Sequence, residues 1–343
     1  MNYRKQVIGT LEKCYALSTV TVNGQSSLLV AAEKHNPCRR FDLAGNLLDT
    51  VWEEPGGIMT MVPVPGMENA FLSTHKFYSP NDSAEAFLVC AQRTQAGWQV
   101  TKVADLPFVH RFDILPVNGV NYILACTLKS GHEYKNDWRF PGKLYVGVLP
   151  EDPAQPLELT VLREGLGHNH GYTRFVKDGV IHGIVSCDQG VFEVTPPQNP
   201  GGEWTVETLL AEACSDAVKL DLDGDGVEEL FTISPFHGDT VAIWHRDDAG
   251  WQKVYQYPEP LPFLHAIFGG TVYGRPTVYC GNREGERLLA GFWYDAASGA
   301  YRYDTVDKGA GAANCMLFER DGHPALLASN RETDEIAIYD ILD

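Results

Sequence analysis

The sequence predicts an all-β protein, a seven-bladed β-propeller closed by its own N-terminal strand. Three observations lead there. Helical periodicity is almost absent, and period-2 stretches bounded by Gly, Pro, Asn and Asp dominate. One short strand recurs about every 50 residues in six internal copies. The last unit stops one strand short, and the chain begins with one strand to spare.

In chain order, residues 3–8 form the spare outer strand and residues 15–20 the first inner strand. The recurring strand occupies residues 48–52, 98–103, 157–162, 204–209, 251–255 and 301–306. Within about a dozen residues each is followed by a second strand, a Gly-bearing turn and a third strand ending in small residues, as at 122–126, 277–280 and 326–329. Residues 336–341 end the last unit and need a neighbour, which residues 3–8 supply. Pairing them closes the ring and removes an exposed sheet edge. Sharing 343 residues among seven blades gives about 49 each. Six or eight blades fit worse, because no copy would then lack a strand. Residues 1–343 are expected to form one propeller domain.

A hydrophobic content of 44% is ample for a large core, and the formal net charge is −18. That balance argues against nucleic-acid or anionic-membrane partners, which require a basic face. The first ten residues hold no apolar leader core, and no apolar run is long enough to span a bilayer. The eight cysteines (14, 38, 90, 126, 187, 214, 280 and 315) show no C-x-x-C spacing and sit in strand contexts. They read as reduced core residues of a cytoplasmic protein. A homo-oligomer stays open.

With the blades in register, equivalent positions can be compared around the ring. His110, His170 and His265 each lie nine residues before a turn glycine, Gly119, Gly179 and Gly274. The same offset gives Tyr15 before Gly24, and the equivalent places in two other blades fall near Asp216 and Asn314. These positions begin the innermost strands and ring the channel at one mouth. Neutral imidazole suits zinc and similar metals, and three protein ligands leave a position for substrate or water. Zinc is therefore expected, with manganese or magnesium as alternatives. Solvated channel histidines would look the same in sequence.

The loops over that mouth are unusually polar. They carry Glu33, Lys34 and His35, then His75 and Lys76, Lys129, Asp188, and His237. The tripeptide Asn-Arg-Glu appears twice, at residues 282–284 and 330–332. Lys34, Lys129, Arg283, Arg331 and Glu332 are the candidate substrate-binding residues, for a polyhydroxylated or anionic ligand. His75 and His237 are the candidate acid–base residues, with exposed turn histidines as the plainer reading.

Residues 221–229 interleave Asp221, Asp223, Asp225 and Glu229 with Gly224 and Gly226. Glycine turns let several carboxylates converge on a hard cation. An EF-hand would place a glutamate where Thr232 stands, and the flanks read as strands, so that motif is excluded. Asp221, Asp223, Asp225, the Val227 carbonyl and Glu229 are the expected calcium ligands, at the mouth opposite the histidines, in a structural role.

A calcium loop joining two strands resembles the FG-GAP/VCBS class of propeller blades. Together with His110, His170 and His265 and the two Asn-Arg-Glu loops, the chain resembles the propeller domain of the aldos-2-ulose dehydratase and 1,5-anhydrofructose dehydratase family. The resemblance implies a zinc-dependent dehydratase acting on a small carbohydrate. The fungal members carry cupin and lectin-like domains besides the propeller, and this sequence shows no counterpart of them. The implied chemistry is β-elimination: a divalent metal polarises a ketone, a base takes the adjacent proton, and a general acid assists loss of the β-hydroxyl. Two other readings stand beside it: a propeller polysaccharide or oligouronide lyase, and a non-catalytic glycan- or protein-binding propeller braced by calcium.

Overall fold

A computed structural model describes residues 1–342; Asp343, the end of the expected domain, lies outside the described residues. Twenty-eight strands form seven four-stranded sheets, and no helix occurs among the described residues. The seven innermost strands are Cys14–Val22, Met61–Pro63, Val109–Val117, Gly171–Lys177, Asp216–Leu220, Leu264–Val272 and Asn314–Arg320, which begin blades one to seven in chain order.

Six blades are built from four consecutive strands. In the seventh, Asn2–Thr10 forms the outer edge, antiparallel to Glu335–Leu342, from Asn2 opposite Leu342 to Thr10 opposite Glu335. Residues 3–8 and 336–341 therefore pair as the sequence implies. The interface between blades seven and one is apolar, with Leu28, Val30 and Phe41 packed in one cluster with Leu327, Ile336 and Ile338. Elsewhere aromatic rings lock adjacent sheets: Trp52 lies 5.9 Å from Phe71, and Phe231 lies 5.2 Å from Phe292. Burying such side chains stabilises by roughly 1.5–3 kcal/mol each.

Tight turns set the register. Asn23-Gly24, Asn118-Gly119, Asp178-Gly179, Tyr273-Gly274 and Asp321-Gly322 all have positive φ at both residues, the geometry of two-residue hairpin turns matched to strand twist. Blade five carries the carboxylate loop in that place. One repeat copy is displaced. Residues 157–159 lie outside the strand, which runs Thr160–Leu166, because the Leu157 amide bonds to the Val103 carbonyl and its side chain is buried against blade two.

Candidate functional site

The ring of residues at the channel mouth is aimed by a repeated backbone device. Tyr15, His110 and His265 each sit at a break in register where the inner strand starts, between Cys14 and Ala16, Val109 and Arg111, and Leu264 and Ala266. Such a bulge leaves one residue unpaired and redirects its side chain. Two positions earlier, Lys13, Phe108 and Phe263 have left-handed φ of 52°, 62° and 59°, and His168 stands so before His170, at 44°. Non-glycine residues held there store strain, which the surrounding structure must sustain. The chain thus turns sharply into each inner strand and points an aromatic or imidazole ring inward.

The imidazoles are anchored from behind. His265 Nδ1 lies 2.7 Å from the Ala313 carbonyl, and His110 Nδ1 lies 3.2 Å from the His170 carbonyl. A carbonyl only accepts, so both Nδ1 atoms carry the proton and both Nε2 lone pairs face the cavity. His170 Nδ1 is 2.9 Å from Asp216 Oδ2, a carboxylate–histidine pair almost wholly buried. Outer partners of this kind fix the ring orientation of metal-binding histidines.

His237 reaches the same point from the loop following Glu229–Ile233, with φ of 54° and its Nε2 3.3 Å from His170 Nε2. Its ring stacks on Phe263 at 4.4 Å. The ligand-capable nitrogens of His170, His237 and His265 lie within 4.8 Å of one another. His237, read from sequence as an acid–base residue, therefore stands in the cluster. His110, read as a metal ligand, stands beside it and meets the Tyr15 hydroxyl at 3.5 Å, while that hydroxyl is 3.1 Å from His265 Nε2.

Burial, reinforced by neighbouring imidazoles and arginines, pushes His110, His237 and His265 well below the usual histidine range. They are neutral near pH 7, the form that binds a metal. Burial lifts Tyr15 to about 12. The clustered nitrogens of His170, His237 and His265 are a donor set that fits zinc better than magnesium, which prefers oxygen.

These rings border a partly open cavity of about 240 Å³, walled by Phe77, Pro80, Leu128, Phe236 and Phe263. Its rim is ionic. Arg283 bonds Glu332 through Nε (2.8 Å) and Nη2 (2.6 Å), and Arg331 reaches Glu332 at 2.8 Å and also bonds Glu33. Although burial opposes ionisation, Arg283 and Arg331 hold Glu332 below the usual glutamate range.

Other expected site residues are placed elsewhere. His75 is a correction: it ends the strand Ala70–His75 and is buried between Trp52 and Phe87, at 4.7 and 5.6 Å, not at the cavity. Lys129 is a second correction. It is fully buried, bonded to Asn81 Oδ1 and the Asp137 carbonyl and capped on Trp138, away from the cavity lining. Lys34 bonds the Tyr78 carbonyl, and it too is absent from the lining.

The carboxylate loop joins the two inner strands of blade five at the far end from Asp216, hence at the opposite mouth. Asp223, Asp225 and Glu229 converge there with His245, a partner that the sequence did not signal. Glu229 is buried, receiving the Leu222 amide at 2.6 Å and facing His245 Nδ1 at 2.7 Å. Asp221 instead accepts the Gly224 and Gly226 amides and ties the turn. The Val227 amide donates to Asp225.

Sequence reasoning placed Tyr15 and Asp216 on the ring but gave neither a role. Phe236 and Phe263 had no signal beyond their neighbours in sequence. No protein-family model matches the chain, and no curated protein does. Solved structures do match in shape. The β-propeller domain of Cps50 (Swd1) from Myceliophteria thermophila is 11% identical, with a TM-score of 0.63 over 99% of this chain and 100% of that one. A candidate 6-phosphogluconolactonase from Bacteroides uniformis is 15% identical, with a TM-score of 0.60 over 100% and 93%. Another from Bacteroides fragilis is 15% identical, with a TM-score of 0.56 over 94% and 89%. At such identities the likeness establishes the fold alone: the chain is a seven-bladed β-propeller.

Proposed function

We propose that the chain is a metal-dependent carbon–oxygen lyase, a hydro-lyase that removes water from a small keto-sugar such as 1,5-anhydrofructose. The observation that carries this reading is the convergence of His170, His237 and His265, from three blades, on one point in a cavity at the channel mouth. A zinc-like ion held there would act as a Lewis acid, stabilising the charge that develops when a carbon beside a ketone loses its proton. The remaining work falls to side chains. His110 Nε2 presents a lone pair beside the cluster and is the group placed to accept that proton. The Tyr15 hydroxyl, between His110 and His265, orients the substrate oxygen and lends a proton toward the leaving hydroxyl. Phe77, Phe236 and Phe263 give the cavity an apolar wall against which the sugar ring can pack.

The cavity is smaller than the roughly 300–1,000 Å³ of drug-sized sites, which favours a monosaccharide over a polymer. That weighs against the polysaccharide and oligouronide lyase reading. The carboxylate loop, at the other mouth, is assigned a structural cation, as in FG-GAP/VCBS blades. The eight buried free cysteines suit a reducing cytoplasm.

Incubation with 1,5-anhydrofructose should yield an unsaturated ketone that absorbs in the ultraviolet. Chelation should abolish the product and added zinc restore it. Equal turnover by metal-free protein would exclude the mechanism. No turnover together with tight glycan or peptide binding would make the chain a binding module.

A further inference from the structure

The ionic rim of the histidine cavity gathers Glu33 from blade one, Arg283 from blade six, and Arg331 and Glu332 from blade seven, two cations against two anions. All the bonds that Glu332 receives fall on Oε1, and Arg331 Nε binds Glu33 Oε2. Among the described residues Glu332 Oε2, Glu33 Oε1, Arg283 Nη1 and Arg331 Nη2 have no protein partner. Two donors and two acceptors are therefore left over. Glu33, Arg283 and Arg331 all border the cavity. The network is also stiff: the Arg283 guanidinium lies 4.6 Å over the Phe263 ring, which stacks in turn on His237.

We infer that this quartet is a charge-balanced clamp that reads the hydroxyls of a neutral sugar and rejects the carboxylated form of the same ring. The inference rests on the keto-sugar reading of the cavity. A hydroxyl donates one hydrogen bond and accepts others, so it can use the spare arginine nitrogens and the spare glutamate oxygens together. A carboxylate only accepts. It would match the arginines but set its charge against Glu33 and Glu332, or would have to displace them from bonds already made. Like-charge juxtaposition in a buried site is how an interface refuses a ligand of similar shape. Because the four side chains already hold one another, little ordering is left for the ligand to impose.

The probes are 1,5-anhydroglucitol, which has no ketone and cannot eliminate, and the uronic acid with a carboxylate at C6 of that ring. Calorimetric titration of the zinc-loaded protein should show the neutral sugar binding tighter by about tenfold or more. Glu33→Gln preserves shape but leaves a positive charge uncompensated, and should move the ratio toward the acid by about tenfold with its fold retained. Glu332→Gln should move it the same way. Preference of the unaltered protein for the acid, binding of neither probe, or an unchanged ratio in both variants would overturn the clamp. Neither probe carries a ketone, so a protein that keeps this selectivity yet fails to dehydrate 1,5-anhydrofructose loses only the lyase assignment.

Discussion

His170 and Asp216 meet across two neighbouring blades, Nδ1 to Oδ2 at 2.9 Å, with both side chains almost completely removed from solvent. Each is the ring residue of its own blade. The pair links the register of blade four to that of blade five and holds the His170 Nε2 toward the cavity. Asp216→Ala is expected to weaken zinc binding by about 10–100-fold, as loss of an outer partner does in metal sites. Asp216→Asn, which can still accept from Nδ1, should lose less. Competitive zinc titration against a chromophoric chelator checks both. Unaltered affinity in the alanine variant would remove Asp216 from the site.

The closing strand makes a second prediction. Deleting residues 1–10 strips Asn2–Thr10 from Glu335–Leu342 and breaks the ion pairs of Arg4 with Asp340 and of Lys5 with Glu335. An open edge remains, which promotes edge-to-edge association. The truncated protein should melt lower and aggregate on heating. Melting like the full chain would contradict closure.

His75 governs part of the acid response. Burial holds its pKa at about 3, against 6.5 for a free imidazole, and its Nε2 has no partner. The folded value is depressed, so the unfolded chain takes up the proton first and stability falls as pH drops from about 6.5 toward 3. His75→Leu should remove one proton from that dependence, about 1.4 kcal/mol per pH unit in the window. Urea unfolding at a series of pH values tests this. An equally steep acid loss in the variant would refute it.

At the opposite mouth, Asp223→Ala and His245→Ala should each reduce the rise in melting temperature that a divalent cation gives. Catalysis at the histidines should be largely kept, because the two sites lie at opposite ends of the blade-five inner strand. A chelator without effect on melting of the parent would reduce the loop to a turn. A cation with imidazole preference outcompeting calcium would mark His245 as a ligand.

Much of this molecule was legible because propellers repeat. The turn glycines gave the register, and the register alone put Tyr15, His110, His170, His265, Asp216 and Asn314 at one mouth. What failed lay at strand ends. His75 and Lys129 look like loop residues, being polar and next to polar neighbours. Each is instead the last residue of a strand, with its side chain turned into the interior. Local polarity cannot reveal that, since packing against Trp52 in one case and Trp138 in the other decides it. His237 entered the cluster through a left-handed loop whose path no strand period encodes. His245 joined the carboxylate loop from the next strand outward, where only the three-dimensional pairing brings it beside Glu229.

The central claim is that His170, His237 and His265 hold one catalytic divalent ion. Elemental analysis of the purified protein, set beside the His170→Ala/His265→Ala double variant and the Asp223→Ala variant, tests it most directly. The account predicts about one equivalent of zinc in the parent and in Asp223→Ala, and none in the histidine variant with its fold intact. A histidine variant that retains its full zinc content, or a parent that takes up none when zinc is supplied, would contradict it.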